Sequence, residues 1–312
     1  MTLPLFEPEP NLELADLRAR LQGLAAQNIL IGTSSWKYEG WLGQIYSRDR
    51  YLSRGKFSKK RFEAECLTEY AETFPIVCGD FSFYQFPAPE YWHKLFSAAP
   101  PQLKFALKAP EEVTAEVFPK HARYGPRAGM YNPAFLDANA FCALFAEPLS
   151  AYRDRISGII FEFGARNTPP DEFTESLKPF LSALPSDFRY AVEVRNRAYL
   201  NQAHFAALNE HNVAHVFNAW TRMPSLSKQI SWEQAFTTDF TVVRALLREG
   251  RAYEEAVAKF APYDQIQDEN EEGRKALRDL LKRMKDEKRA ALIFVNNRFE
   301  GNAPKTIQAV ID

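Results

Sequence analysis

From residue 28 onward, short apolar runs ending in a polar or charged residue alternate with segments of helical period. The runs fall at 28–33, 76–80, 103–108, 156–163, 190–196, 213–217, 240–246 and 290–295. Helical patterns lie between them at 58–73, 89–98, 133–152, 170–184, 204–211 and 270–288, and again from residue 304. Pro133 suits the first turn of its helix, and 253–260 reads as an extra helical turn. The pattern weakens over 219–238, where only a short helix is expected, capped by Ser231 with Gln234 three residues on. Strands apolar on both faces and separated by helices make a parallel sheet with a covered outer face. Eight such units predict an α/β fold, a (β/α)₈ TIM-type barrel over 28–312, with long loops after strands one, three and seven. Ahead of it, residues 1–10 read as a loose tail. Asn11 can cap a helix to about residue 27 that carries Leu14, Leu17, Leu21 and Leu24 on one face. That stripe spans too few heptads for a coiled coil and is expected to pack on the barrel as an N-terminal extension, 1–27.

The run Tyr190-Ala191-Val192-Glu193-Val194-Arg195-Asn196 is the most informative. Alternation puts Ala191, Glu193 and Arg195 on one side and Tyr190, Val192 and Val194 on the other. Charges at the end of a buried strand are costly unless something there uses them. The active site of such a barrel lies at the C-terminal strand ends. Strand alternation assigns Asp80, Lys108, Glu162, Glu193, Arg195, Arg244 and Asn296 to that end as inward tips, with Thr33 and Ser35 at strand one.

Composition narrows the choices. Formal net charge is −1, from 39 basic and 40 acidic side chains, so affinity for nucleic acid or membrane needs a local patch. Cys66, Cys78 and Cys142 lack metal-type spacing and read as reduced core thiols. No leader-like N-terminus and no long apolar run occurs, which gives the expectation of a soluble cytoplasmic protein that engages no membrane. A phosphate loop, a Gly-x-Ser-x-Gly elbow and a dinucleotide fingerprint are all missing. That argues against a dehydrogenase, a kinase-like enzyme or an α/β-hydrolase.

Several segments together resemble one family. Ile31-Gly32-Thr33-Ser34-Ser35-Trp36 with Tyr38, Gly40 and Trp41 is similar to the opening of the YecE-like family, a domain of unknown function numbered seventy-two. Phe81-Ser82-Phe83-Tyr84 with Pro87, and Phe105-Ala106-Leu107-Lys108-Ala109-Pro110, resemble its second and third strand ends. Glu193-Val194-Arg195, and Phe294-Val295-Asn296-Asn297 with Gly301, Ala303 and Pro304, resemble its fifth and eighth. The resemblance implies a TIM-type barrel and no established reaction. The chain also departs from the family's pattern. Cys78 and Asp80 stand where the family usually has Glu and Asn, and Glu162 stands where it has Gln. Arg244-Ala245-Leu246-Leu247 replaces Arg-Leu-His-Gly, so an acid–base His that the resemblance would supply is missing here.

Each candidate admits a chemical and a plainer reading. Three carboxylates facing three cations can be an ion-pair network that closes the barrel top, or a functional site. Lys108 beside two arginines would have its ammonium form disfavoured and act as base or Schiff-base nucleophile, or it would bind an anion. Glu162 and Glu193 could form an acid/base pair of the glycosidase kind. With Asp80 they could instead hold Mg²⁺ or Mn²⁺, although no cofactor is predicted. His215 reads as a packing residue, and zinc is not expected. Asn296 and Asn297 can orient a substrate by amide hydrogen bonds, or Asn297 simply starts a turn. Trp36 and Trp41 bracket the first loop as stacking surface or as wall, with one favoured as wall. Trp36, Ser35 and Tyr84 join the substrate-binding candidates.

Loops 46–62 and 118–131 mix Arg and Lys with aromatics, as a solvated face or as a surface for phosphates or single-stranded nucleic acid. The expected function is an enzyme, a lyase, isomerase or hydrolase, acting on a small anionic phosphorylated or carboxylated substrate. The alternatives are a nucleic-acid-associated protein and a non-catalytic binding barrel.

Overall fold

The computed structural model describes residues 12–165 and 168–312. The expected tail at 1–10 and the Asn11 cap lie outside the described residues. Eight parallel strands close into a barrel: β1 (Ile29–Thr33), β2 (Ile76–Gly79), β3 (Lys104–Lys108), β4 (Ile156–Phe163), β5 (Tyr190–Val194), β6 (Ala214–Ala219), β7 (Phe240–Ala245) and β8 (Ala290–Val295). Each strand pairs with its neighbours in sequence, and β1 also pairs with β8. The fold is the predicted (β/α)₈ barrel.

Period two sorts the side chains into two cores. Ile76, Cys78, Ala106, Ile160, Ala191, Val216, Val242 and Phe294 fill the barrel interior. Residues one position away, such as Val77, Phe105, Phe161, Val192 and Phe217, pack outward under the helices. Aromatics concentrate in this outer layer; Phe161, for example, lies against Phe141, Phe180 and Tyr190. The helix Leu12–Ala25 buries Leu17, Leu21 and Leu24. Its Arg18 reaches Thr73 and Glu72, while its Arg20 reaches the carbonyls of Ile311 and Asp312.

The ladder between β1 and β2 is short, with Gly32 opposite Ile76 and Thr33 opposite Val77. Gly32 is the inward residue there, and a Cβ on it would stand 1.8 Å from the Ile76 carbonyl oxygen. Only glycine allows that approach. Thr33 therefore faces outward, not into the barrel as expected. The Tyr70 hydroxyl staples the seam, accepting from Thr33 N at 3.0 Å and donating to Ile76 O at 2.9 Å. Tyr70→Phe is expected to cost about 1–3 kcal/mol, because two buried backbone groups lose their extra partner. Urea unfolding of the two proteins measures it, and an unchanged midpoint would remove the staple.

Two helical expectations need correction. The segment expected as one helix over 133–152 is broken. It starts at Ala138–Phe141 under an Asp137 cap, widens into a π-turn at Cys142–Ala146, then runs Glu147–Leu149 into the 3₁₀ turns Ser150–Arg155. Pro148 has no N–H for a carbonyl one turn back, which prevents a regular helix through this stretch. In the second case the short helix is Leu226–Ile230, capped by Ser225, and Ser231 follows its C-terminus rather than capping its start.

Candidate functional site

The polar tips of five strands meet at the C-terminal mouth of the barrel. Lys108 ends β3, Glu162 and Glu193 sit opposite each other on β4 and β5, and Arg244 lies on β7. Asp80 and Arg195 follow β2 and β5 directly. Lys108, Glu193, Arg195 and Arg244 are all buried.

Glu162 is the hub. Its Oε2 lies 2.9 Å from Lys108 Nζ, 3.1 Å from Arg195 Nη2 and 2.6 Å from Arg244 Nη1. The same Arg244 nitrogen also bonds Glu193 Oε2. Glu193 Oε1 is 2.6 Å from Arg195 Nη2. Asp80 Oδ1 is more distant, 3.5 Å from Lys108 Nζ and 3.6 Å from Arg244 Nη2. Aromatic faces hold two of the cations: Lys108 Nζ is 3.5 Å from the centre of the Phe83 ring, and the Arg195 guanidinium is 4.0 Å from that of Trp220. The network satisfies only part of Arg195, whose Nε and Nη1 are buried without a hydrogen-bond partner among the described residues.

This geometry fixes the protonation states. Burial pushes the Glu162 carboxyl up, but Lys108, Arg195 and Arg244 together hold it well below the usual carboxylate range. Burial works against the Lys108 ammonium, yet Glu162 and Asp80 outweigh it and raise its pKa. The expected depression of Lys108 by its arginine neighbours is thus reversed, because the nearest charge is a carboxylate. That direction favours the anion-binding reading of Lys108 over the base or Schiff-base reading. On Arg244, burial is likewise more than offset by Glu193, with help from Cys78, Glu162 and Asp80. The Cys78 thiol beneath the network is pushed up to about 12 by burial, so it stays un-ionised.

Other candidates take plainer places. Glu162 and Glu193, weighed as a glycosidase-type pair, share one guanidinium nitrogen, so both carboxylates are engaged by Arg244. No group of three His, Cys, Asp or Glu side chains able to hold a metal stands among the described residues. The carboxylates proposed for Mg²⁺ or Mn²⁺ are turned to lysine and arginine instead. Asn297 Oδ1 accepts from Trp41 Nε1 at 3.2 Å and from Ala303 N at 2.8 Å, so both side chains tie the last strand to the first loop. Asn296 Oδ1 accepts from Arg298 N and caps a turn. Trp36 is a buried wall, edge-on to Phe81. Ser35 stands at the rim against the Tyr38 hydroxyl, and the Tyr38 phenol is raised by burial although Arg298 pulls it down. Tyr84 stands outside the network, with Arg123 over its ring at 3.8 Å. His215 is a packing residue beside Phe205 and Phe217.

The two basic loops lie beyond β1 and β3. In the first, Arg50 pairs with Glu72, Lys59 with Glu39 and Arg61 with Glu65. Its Tyr46 and Tyr51 are buried, with Tyr51 donating to Glu69. The second folds back on itself through Phe118 and Met130 and leaves Tyr131 exposed.

Four residues at the mouth were not among the sequence candidates. Phe83 and Trp220 are the aromatic seats just described. Asn218, fully buried, donates from Nδ2 to Val194 O at 3.2 Å. It lies two residues beyond Val216 and is reached by carrying the alternation of β6 past Phe217. Glu111, in the turn after β3, has its carboxyl raised by burial, with Glu162 adding to the shift and Lys108 opposing it. It lines a cleft of about 490 Å³ together with Glu162, Thr114 and Thr168.

Comparison with known proteins agrees with this architecture. A DUF72 family protein from Thermotoga maritima superposes with a TM-score of 0.59 at 20% identity, over 90% of this chain and 97% of that one. A DUF72 family protein from Enterococcus faecalis gives 0.59 at 16% identity, over 90% and 94% of the two chains. A search of curated proteins found no match. The sequence profile described as protein of unknown function DUF72 matches residues 30–312. The chain belongs to the DUF72 family.

Proposed function

We propose that the barrel mouth binds a small anionic substrate, phosphorylated or carboxylated, and that the protein is an enzyme acting on it. Arg195 carries this reading. A guanidinium is always charged, and burying one with two unpartnered donor nitrogens is expensive unless a ligand uses them. Here Glu162, Glu193 and Trp220 immobilise the group while its Nε and Nη1 stay unengaged. Lys108 and Arg244, both held protonated, supply further positive charge. Proton transfer falls to Glu111, whose raised carboxyl suits a general acid, rather than to Glu162.

Thermal unfolding and calorimetric titration against inorganic phosphate, sugar phosphates and small dicarboxylates test the reading. A ligand at about 100 times its Kd should add roughly 2.7 kcal/mol of stability. Arg195→Leu should weaken that ligand at least tenfold, with Arg195→Lys intermediate. Equal stabilisation of wild type and Arg195→Leu would refute it. Stabilisation without turnover would leave a binding barrel. Exposed Tyr131, near Lys120, Arg123 and Arg127, favours a second reading, a nucleic-acid surface on the loop after β3. Oligonucleotide binding that collapses as salt rises would select it.

A further inference from the structure

Glu162 meets its cations at ordinary ion-pair distances, whereas Asp80 Oδ1 stands 3.5 Å from Lys108 and 3.6 Å from Arg244, beyond hydrogen-bond range. That oxygen is buried and has no hydrogen-bond partner among the described residues, although the Asp80 side chain as a whole is 44% exposed. Glu162 and Glu193 are 16% and 0% exposed by the same measure. Asp80 is therefore the loosest carboxylate of the network, reaching from the rim towards two cations that it does not properly engage.

We propose that Asp80 occupies the seat of a ligand oxyanion between Lys108 and Arg244, and that its side chain swings out when the ligand binds. The inference rests on the reading of the mouth as an anion site and adds where the anion sits and what competes for the place. Without Asp80, the ion pairs of Lys108, Arg195 and Arg244 set three cations against the carboxylates of Glu162 and Glu193, with the raised Glu111 carboxyl as the further acidic group near Lys108. The seat outlasts the departure of Asp80, because Lys108 is still held by Glu162 and the Phe83 ring, and Arg244 by Glu162 and Glu193. The turn that carries Asp80 is fixed independently. Ser82 Oγ donates to Lys108 O at 2.7 Å, and Glu111 N donates to Phe83 O at 2.5 Å. Only the Asp80 side chain needs to rotate. A free phosphoryl or carboxylate group has no backbone tether and can close to about 2.7–2.9 Å on both cations.

Calorimetric titration with inorganic phosphate and with malonate at fixed ionic strength, on wild type, Asp80→Ala and Asp80→Ala/Lys108→Met, provides the test. Asp80→Ala should bind one of the two anions at least tenfold tighter than wild type, and the added Lys108→Met should abolish the gain. The anion that gains distinguishes a phosphoryl seat from a carboxylate seat. If wild type binds in an Arg195-dependent way but Asp80→Ala is unchanged or weaker, the seat is refuted while the anion site stands. A gain that survives Lys108→Met is a general charge effect and also overturns it. Absence of binding by every protein would overturn both. Far-UV circular dichroism confirms that each variant is folded.

Discussion

Arg244→Met should destabilise the protein by about 3–5 kcal/mol, the usual cost of removing one partner from a buried ion pair. The reason lies in the sharing of its Nη1 between Glu162 and Glu193, the second of which is fully buried. Glu162 keeps Lys108 and Arg195, but Glu193 keeps only Arg195. Adding Glu193→Gln should therefore return part of the loss, making the double variant less unstable than the sum of the singles. Urea unfolding of the four proteins in this cycle gives the coupling directly. A cost below about 1 kcal/mol, or strict additivity, would mean that the network is solvated and of little structural weight.

Between pH 7.5 and 4.5 the protein should lose about 2–3 kcal/mol of stability for each of two histidines. His204 and His215 are fully enclosed, their rings 6.3 Å apart and edge to face. None of their ring nitrogens has a hydrogen-bond partner of normal geometry among the described residues, although Gln229 stands close enough to His215 to oppose its lowering in part. The neighbouring Gln229 amide donates to Asn218 O and Pro224 O instead. Burial lowers His204 to about 4, and burial together with His204 lowers His215 to about 3. In the unfolded chain both titrate near 6.5. As pH falls through that value the unfolded state takes up protons that the folded state refuses, so stability falls. The loss continues until the folded values are reached. Glu162 is held below the ordinary carboxylate range and acts only at lower pH, whereas Glu111, raised by burial, takes up its proton earlier in the folded chain and offsets a part of the histidine loss. Urea midpoints across this range should fall for wild type and stay nearly level for His204→Leu/His215→Leu. Parallel slopes would show that the rings are solvated or partnered.

The barrel was legible because each strand is an apolar run with a polar end, and the tips on β3, β4, β5 and β7 were legible by counting in twos. Strand one misled the count: its inward residue is Gly32, which has no side chain to show, so Thr33 was given the place. Pro148 interrupts what a hydrophobic period presents as one helix. Asn218 was missed because the apolar run of β6 ends at Phe217, one residue before the inward position. Phe83, Trp220 and Glu111 lie beyond the strand ends, where no period relates a residue to the barrel axis. The sign of the Lys108 shift depends on whether its nearest neighbour is Glu162 or an arginine, and sequence order carries no such distance.

The sharing of one Arg244 nitrogen by two carboxylates has a consequence for descent. A lineage that loses this arginine but keeps Glu162 and Glu193 must carry a stranded charge through every intermediate generation. Arg244 and Glu193 can be exchanged only together, on strands far apart in the gene, whereas replacing Glu162 by a neutral residue strands no anion. Glu162 and the rim are free to drift one residue at a time, whereas Arg244 and Glu193 are bound to change as a pair.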